Sequence, residues 1–294
     1  MTVFITALVA GLAVGSVYGL IGISYSIVYS SSGIFNVAQG NLLAVGILVA
    51  YYALDEWKIP QVLALLLIVA VVVALSLAEE LLAVRPIVAR GSGGITWFIS
   101  TLGFGLVVST IAENIYGSKA VMAIPSAFGE SPIRIGGVAI APKFVASLGL
   151  LMIIGFGLEA FYRRSQIGTV MRAVAEDRDV AALRGIRVVR IGQLAFVMAG
   201  VITGLAAFVI APIVSSDISL GLLYGLKGFI ALAVGGFGSM RGAALGGLLL
   251  GVGEQMLDTY WSSNYEIVAG MGLILLVLAI RPQGLFNTLR LREV

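Results

Sequence analysis

Two opposite charges, Lys227 and Glu254, stand within long apolar stretches of this sequence. An unpaired charge is costly in an apolar environment, so such residues usually pair with one another or take part in transport. The two residues lie near the same end of neighbouring apolar runs. We therefore predict an intramembrane charge pair between Lys227 and Glu254, with a proton relay as the alternative role.

A group of uncharged polar residues lies in and just after the first apolar run. Such side chains can hydrogen-bond a zwitterion or an amide without presenting a fixed charge that would trap it. Breaks in helices near such residues would also free backbone groups for a ligand. We predict that these residues line a substrate pathway: Ser24, Asn36, Gln39 and Asn41. For each of them, a helix-to-helix hydrogen bond or simple helix capping is the alternative.

Several kinds of chemistry are excluded by the residues that the sequence lacks. It contains no cysteine and no histidine, which excludes disulfides, thiolate metal sites, cysteine nucleophiles and HExxH zinc sites. It also contains no GxxxxGK[ST] phosphate loop, so any ATP must be bound by another polypeptide. We predict no catalytic residue and no metal site. Serine-based chemistry stays open. We predict no nucleic-acid partner, because the net charge of +3 has a simpler origin in the topology of the loops.

The composition indicates a protein that is largely surrounded by lipid. Of 294 residues, 60% are hydrophobic and 11% are charged, and a bilayer needs about 20 apolar residues for each spanning helix. Nine apolar runs are candidate spans, near residues 3–28, 37–54, 61–83, 95–112, 144–161, 191–210, 222–236, 242–258 and 265–280. The seventh is short and could be tilted, broken or re-entrant. We predict an all-α polytopic membrane protein with about nine transmembrane helices, eight being possible, in one domain over residues 1–294.

Small residues recur at the spacing that lets membrane helices approach closely. Gly11, Gly15 and Gly19 follow the GxxxG pattern, and the pairs Gly242, Gly246 and Gly247, Gly251 repeat it. The alternative is that glycine merely accumulates in membrane helices.

The distribution of basic residues predicts the orientation. When the loops are assigned alternately to the two sides, thirteen lysines and arginines fall on one side and five on the other. The richer side is cytoplasmic by the positive-inside rule. We therefore predict an external N-terminus and a cytoplasmic C-terminus. Glu79 and Glu80, near the cytoplasmic end of the third run, are interpreted as interfacial residues or as contacts to a cytosolic ATP-binding partner.

The longest external segment is predicted at residues 113–143. Within it, apolar and polar residues alternate on both sides of Gly136-Gly137, as in a β-hairpin. This hairpin could cap the helical bundle, or it could contact an external partner.

The main cytosolic segment is predicted at residues 162–190. Val170, Val174 and Ala181 form an apolar face, Asp177 is a helix N-cap candidate, and Gly185 stands where a glycine would end a helix. These features predict two short helices that meet near Asp177. The spacing leaves open whether they dock a cytosolic partner or lie on the membrane surface.

At this segment the sequence resembles the permeases of branched-chain amino acid ABC transporters. The matching residues are Arg172, Ala173, Glu176, Asp177, Ala182, Leu183, Gly185 and Ile186. The glycine-bounded stretch 33–40 looks like a second element of that family, although Gln39 stands where histidine is usual. Further similarity lies at 225–229, at 235–239 and in the closing motif 281–286.

The resemblance implies a permease subunit without its own ATPase site, of the shorter of the family's two types, that works by alternating access. The implied partners are a second permease, two cytosolic ATPase subunits carrying ATP and Mg, and an external solute-binding protein. The residues implied to couple to the ATPase subunits are Arg172, Glu176, Asp177, Arg178, Arg184 and Gly185. The expected location is a bacterial or archaeal inner membrane. Branched-chain or other small amino acids are the expected substrates; urea or amide import and a passive channel are alternatives.

Overall fold

The structure is a computed structural model that describes residues 2–90, 95–116, 124, 126–129, 131–135, 138–214, 217–261 and 266–286. Within these residues the chain is almost entirely helical. The helices are α1 Thr2–Ser32, α2 Gln39–Tyr51, α3 Gln61–Glu79, α4 Arg85–Ala89, α5 Ile95–Tyr116, α6 Pro142–Arg164, α7 Gln166–Glu176, α8 Arg178–Leu183, α9 Val188–Ile210, α10 Leu220–Gly235, α11 Met240–Tyr260 and α12 Glu266–Ile280. Single π-helical turns, Tyr52–Glu56 and Glu80–Val84, extend α2 and α3.

Five of the described helical segments are long and apolar enough to cross a membrane by themselves. They are α1, α3 continued to Val88, α5, α6 and α9. Helices α10 and α11 are bent against each other by 118° and would provide a sixth crossing if they form one broken span. The chain is therefore a multi-pass membrane protein, as the composition predicts. A helix lies in each of the nine apolar runs, but α2, α10 and α12 have only 13, 16 and 15 residues, so nine crossings remain a prediction.

Helix α1 lies at the centre of the bundle, where it packs against α6, α9, α10 and α11. The glycines of the GxxxG pattern mediate its contact with α11. A methyl group on Gly11 would lie 2.8 Å from the Cα of Val252, and one on Gly15 would lie 2.9 Å from the Cα of Leu248. These positions therefore accept only glycine, which confirms the predicted close helix approach.

The two predicted strands pair. Strand β1 (Ile133–Ile135) and strand β2 (Val138–Ile140) are antiparallel, with Ile133 opposite Ile140. The two glycines between the strands lie outside the described residues. The strand pairing is confirmed, whereas its external position remains a prediction.

Helices α7 and α8 form where the capping pattern predicts them. The Asp177 carboxylate accepts hydrogen bonds from the backbone N–H groups of Asp179 (3.0 Å) and Val180 (2.9 Å) and thereby begins α8. Gly185 follows the helix with φ +84°, a conformation that favours glycine. The N-cap of α7 is Ser165, which the sequence analysis did not single out and which accepts a hydrogen bond from the Gly168 N–H at 2.9 Å.

Candidate functional site

A buried polar network begins at Asn36, in the non-helical linker between α1 and α2. The Asn36 Nδ2 donates to Glu79 Oε2 of α3 at 2.7 Å and to Gln39 Oε1 at 3.2 Å. Its Oδ1 accepts a hydrogen bond from the Ala38 N–H at 2.9 Å. The side chains of Asn36, Gln39 and Glu79 are completely buried. The linker is therefore attached to α3 through polar contacts within the bundle.

The same network continues through Gln39 to α9 and α1. The Gln39 amide donates to Thr203 Oγ1 and, at 3.3 Å, to the Ala199 carbonyl oxygen. The Thr203 hydroxyl in turn donates to Ser24 Oγ at 3.3 Å. Ser24 closes the chain by donating to the Leu20 carbonyl oxygen at 3.1 Å. The network thus connects four helices, α1, α2, α3 and α9.

Three of the four residues predicted for the substrate pathway meet in this network, and Asn41 lies apart from it. Asn41 is buried on α2 against Gly221 of α10, and its Nδ2 has no hydrogen-bond partner among the described residues. Glu79 and Thr203 belong to the network but were not predicted for it. The interfacial interpretation of Glu79 is wrong, because α3 turns this side chain towards Asn36 in the interior.

An aromatic cavity of about 660 Å³ lies beside the linker. It is lined by Tyr25, Phe35, Val37, Trp97, Phe98, Leu102, Leu222, Gly225, Leu226, Phe229 and Phe237. The ring of Phe35 lies 4.6 Å from that of Tyr25 and 4.9 Å from that of Phe229. The Tyr25 hydroxyl donates to the Gly225 carbonyl oxygen at 3.1 Å, so its polar end is satisfied. The cavity therefore presents an almost wholly apolar wall.

The linker separates the polar network from the cavity. Along residues 33–38, Phe35 and Val37 line the cavity, whereas Asn36 between them belongs to the network. Among the described residues that line this cavity, none is one of the four residues predicted for the pathway. The polar residues therefore contact one another, and the aromatic residues face the cavity.

A second buried polar site contains the predicted charge pair. The Lys227 Nζ lies 3.1 Å from Glu254 Oε2, and both side chains are about 6% exposed. The ammonium also donates to the Tyr18 hydroxyl at 2.9 Å and lies 5.1 Å from the centre of the Tyr18 ring. The structure therefore brings these two residues together and adds Tyr18, which the sequence pattern did not indicate. The three side chains join α1, α10 and α11.

The predicted coupling residues surround the junction of α7 and α8. Arg178 donates to the carbonyl oxygen of Ser32, the last residue of α1. Arg172 donates to the Tyr162 carbonyl oxygen on α6. Glu176 and Arg184 are exposed. Arg178 thus connects α8 to the end of α1, four residues before Asn36 of the linker.

Comparison with known proteins identifies the family to which this arrangement belongs. Residues 7–280 match the family described as branched-chain amino acid transport system / permease component. The chain belongs to this branched-chain permease family. The resemblance that the sequence motifs indicated is therefore confirmed over most of the chain.

Two relatives of the branched-chain permease family cover almost the full length. The high-affinity branched-chain amino acid transport system permease protein BraD of Pseudomonas aeruginosa is 33% identical over 99% of this chain and 98% of its own. LivH of Escherichia coli K12, which has the same description, is 31% identical with the same coverage. PsaBC from Streptococcus pneumoniae in complex with a Fab aligns with a TM-score of 0.49 and 12% identity over 96% of this chain and 93% of that one.

Proposed function

We propose that this chain is the permease subunit of an ABC importer for branched-chain or other small amino acids, and that it works by alternating access. Membership of the branched-chain permease family, with relatives aligned over nearly the full length, carries the proposal. The names of those relatives describe branched-chain amino acid transport. The aromatic cavity supports a substrate with an aliphatic side chain, because apolar walls favour apolar groups.

The proposed topology has nine membrane crossings, or eight, in the inner membrane, with the N-terminus outside and the C-terminus in the cytoplasm. A helix lies in each of the nine apolar runs, which supports nine crossings in which neighbouring residues extend the short helices across the membrane. The excess of basic residues on one side supports the orientation. Residues 113–143, including the strand pair, would then be external, and residues 162–190 would be cytosolic.

The proposed partners are two cytosolic ATPase subunits that bind ATP and Mg, a second permease and an external solute-binding protein. The absence of a phosphate loop from the sequence supports ATP binding outside this chain. Helices α7 and α8 would dock the ATPase subunits through exposed side chains such as Glu176 and Arg184. The Arg178 contact to Ser32 would pass their movement to the end of α1 and hence to the linker.

The cavity gives a reason to prefer amino acids over urea. Urea and short amides offer almost only polar groups, whereas the cavity wall consists of aromatic and aliphatic side chains. The polar network does not provide binding groups for urea, because its side chains hydrogen-bond one another. We propose that the network holds the linker in place and that the cavity forms one wall of the pathway at the second permease.

Reconstitution of the complete transporter tests the proposed function. The chain, its genetic partner permease, the ATPase subunits and the binding protein are placed in liposomes, and uptake of labelled leucine is measured with and without ATP. We expect uptake that requires ATP and that excess leucine or isoleucine abolishes, while urea does not. Equal flux through liposomes that contain this chain alone would support a passive channel instead, and competition by urea would support an amide importer.

A further inference from the structure

A groove runs along the outer surface of the bundle between α6 and α11. Its volume is about 460 Å³, and its wall is apolar except at one end, where Glu159 and Arg241 stand. The lining residues are Leu151, Met152, Gly155, Phe156, Glu159, Met240, Arg241, Ala244, Leu245 and Leu248. Because α6 is long enough to cross the membrane, the apolar part of this groove lies at the depth of lipid acyl chains.

The polar end of the groove opens into a second cavity, of about 400 Å³. The two cavities share Gly155, Glu159, Met240 and Arg241, so they form one continuous depression. The second cavity adds the arginines Arg163 and Arg172 together with Glu176. Its position at the last turn of α6 places it at the membrane surface, next to the start of α7.

The charges around this end favour an anion. Glu159 Oε2 accepts from Arg241 Nε at 2.7 Å, and Glu159 Oε1 lies 2.9 Å from Arg163 Nη2. One carboxylate is thus shared by two guanidinium groups, each of which has five N–H donors. The side chains of Arg163 and Arg241 are 66% and 65% exposed, so both reach the open space. The three arginines that line the cavity outnumber its two glutamates by one.

We propose that this depression binds an anionic phospholipid. One acyl chain would lie in the apolar groove between α6 and α11, and the phosphate would contact Arg241 and Arg163. An apolar channel at acyl depth that ends in surplus positive charge at headgroup depth matches the two parts of such a lipid. The leaflet follows from the proposed topology and is the cytoplasmic one. The binding itself does not depend on the proposed transport activity.

The neighbouring helices give the lipid a position from which to act. The headgroup cavity includes Arg172 and Glu176 of α7, the helix that we propose docks an ATPase subunit. A bound phosphate would add a negative charge beside Arg172 and stabilise the junction between α6 and α7. The lipid would therefore be a structural component of the coupling region.

Two pairs of variants separate the two halves of this site. Gly155→Leu should fill the groove, since a methyl group on Gly155 meets no atom within 4 Å; Gly157→Leu is its control, with equal free space outside the groove. Arg241→Gln removes the charge at the end of the groove. Its control is Arg190→Gln, an exposed arginine on α9 that lines neither cavity.

The experiment measures the lipid that stays bound to the complete transporter. The complex is purified from nanodiscs of phosphatidylcholine and phosphatidylglycerol, and bound phosphatidylglycerol is counted by native mass spectrometry. Arg241→Gln should lower it about tenfold, the effect of losing one charge-assisted hydrogen bond. Gly155→Leu should lower it similarly, and neither control should change it.

Three results would overturn the proposal. Equal retention in all four variants would mean that the lipid is only part of the general annulus. Displacement by soluble glycerol phosphate, with no effect of Gly155→Leu, would mean a free anion site. Loss of a partner subunit from the complex of Gly155→Leu or Arg241→Gln, with lipid retention unchanged, would mean that the groove is a protein interface. Because the readout is bound lipid, a failed transport assay would leave this test intact.

Discussion

The Asn36 amide donates a 2.7 Å hydrogen bond to the Glu79 carboxylate, 43 residues further along the chain. This bond attaches the linker between α1 and α2 to α3. The neighbours of Asn36 in the linker, Phe35 and Val37, line the aromatic cavity. The hydrogen bond therefore fixes one part of the cavity wall from behind.

The first prediction concerns the acceptor of that bond. Glu79→Gln keeps an acceptor oxygen for Asn36 and should retain transport, whereas Glu79→Leu leaves one of the two N–H groups of the buried Asn36 amide without an acceptor, at a cost of about 1–3 kcal/mol. Thermal unfolding of the purified complex and the KM for leucine uptake measure the two effects. If Glu79→Gln and Glu79→Leu lowered stability and raised the KM equally, loss of the hydrogen bond from Asn36 would not explain the effect.

The second prediction concerns the cavity. Phe229→Ala removes a ring that packs on Phe35 and should raise the KM for leucine uptake about fivefold, equivalent to ~1 kcal/mol of lost aromatic contact. Phe4→Ala, at an exposed position of α1 away from the cavity, is the matched control. An unchanged KM in Phe229→Ala, with normal amounts of the complex, would argue against passage of substrate along this wall.

The third prediction concerns the pair Lys227 and Glu254. Lys227→Met leaves a buried carboxylate without its cation and should destabilise the complex by about 3–5 kcal/mol. Exchanging the two charges, in Lys227→Glu with Glu254→Lys, should recover part of that loss, and Lys58→Met at an exposed position should have no effect. The measurement is thermal unfolding. If the double variant were no more stable than Lys227→Glu or Glu254→Lys alone, the result would contradict a structural pair.

The fourth prediction concerns Arg178, which links α8 to the end of α1. Arg178→Gln should lower the number of leucine molecules imported per ATP hydrolysed by several-fold, because movement of α8 would no longer reach α1. Arg164→Gln, an exposed arginine nearby, is the control. Simultaneous assays of uptake and phosphate release measure the ratio. A ratio like that of the control would show that coupling takes another route.

Much of this protein was predictable from patterns that are local in the chain. Apolar runs of sufficient length indicate membrane helices wherever they occur, since lipid leaves few other choices for the backbone. The cap at Asp177 and the positive φ of Gly185 depend only on adjacent residues. The pairing of Lys227 with Glu254 was predictable for a different reason, namely that isolated charges in apolar runs have few possible partners.

The site itself was decided by contacts between distant helices. The sequence indicated Ser24, Asn36 and Gln39, but it gave no sign that Glu79 and Thr203 would complete their hydrogen bonds. Which face of α3 turns inward depends on its packing against α9, where Gly200 and Gly204 lie against the backbone of Val73 and Val69. Membrane residence follows from composition, because each apolar run favours lipid by itself. The network and the cavity form only when helices that are distant in the sequence pack together.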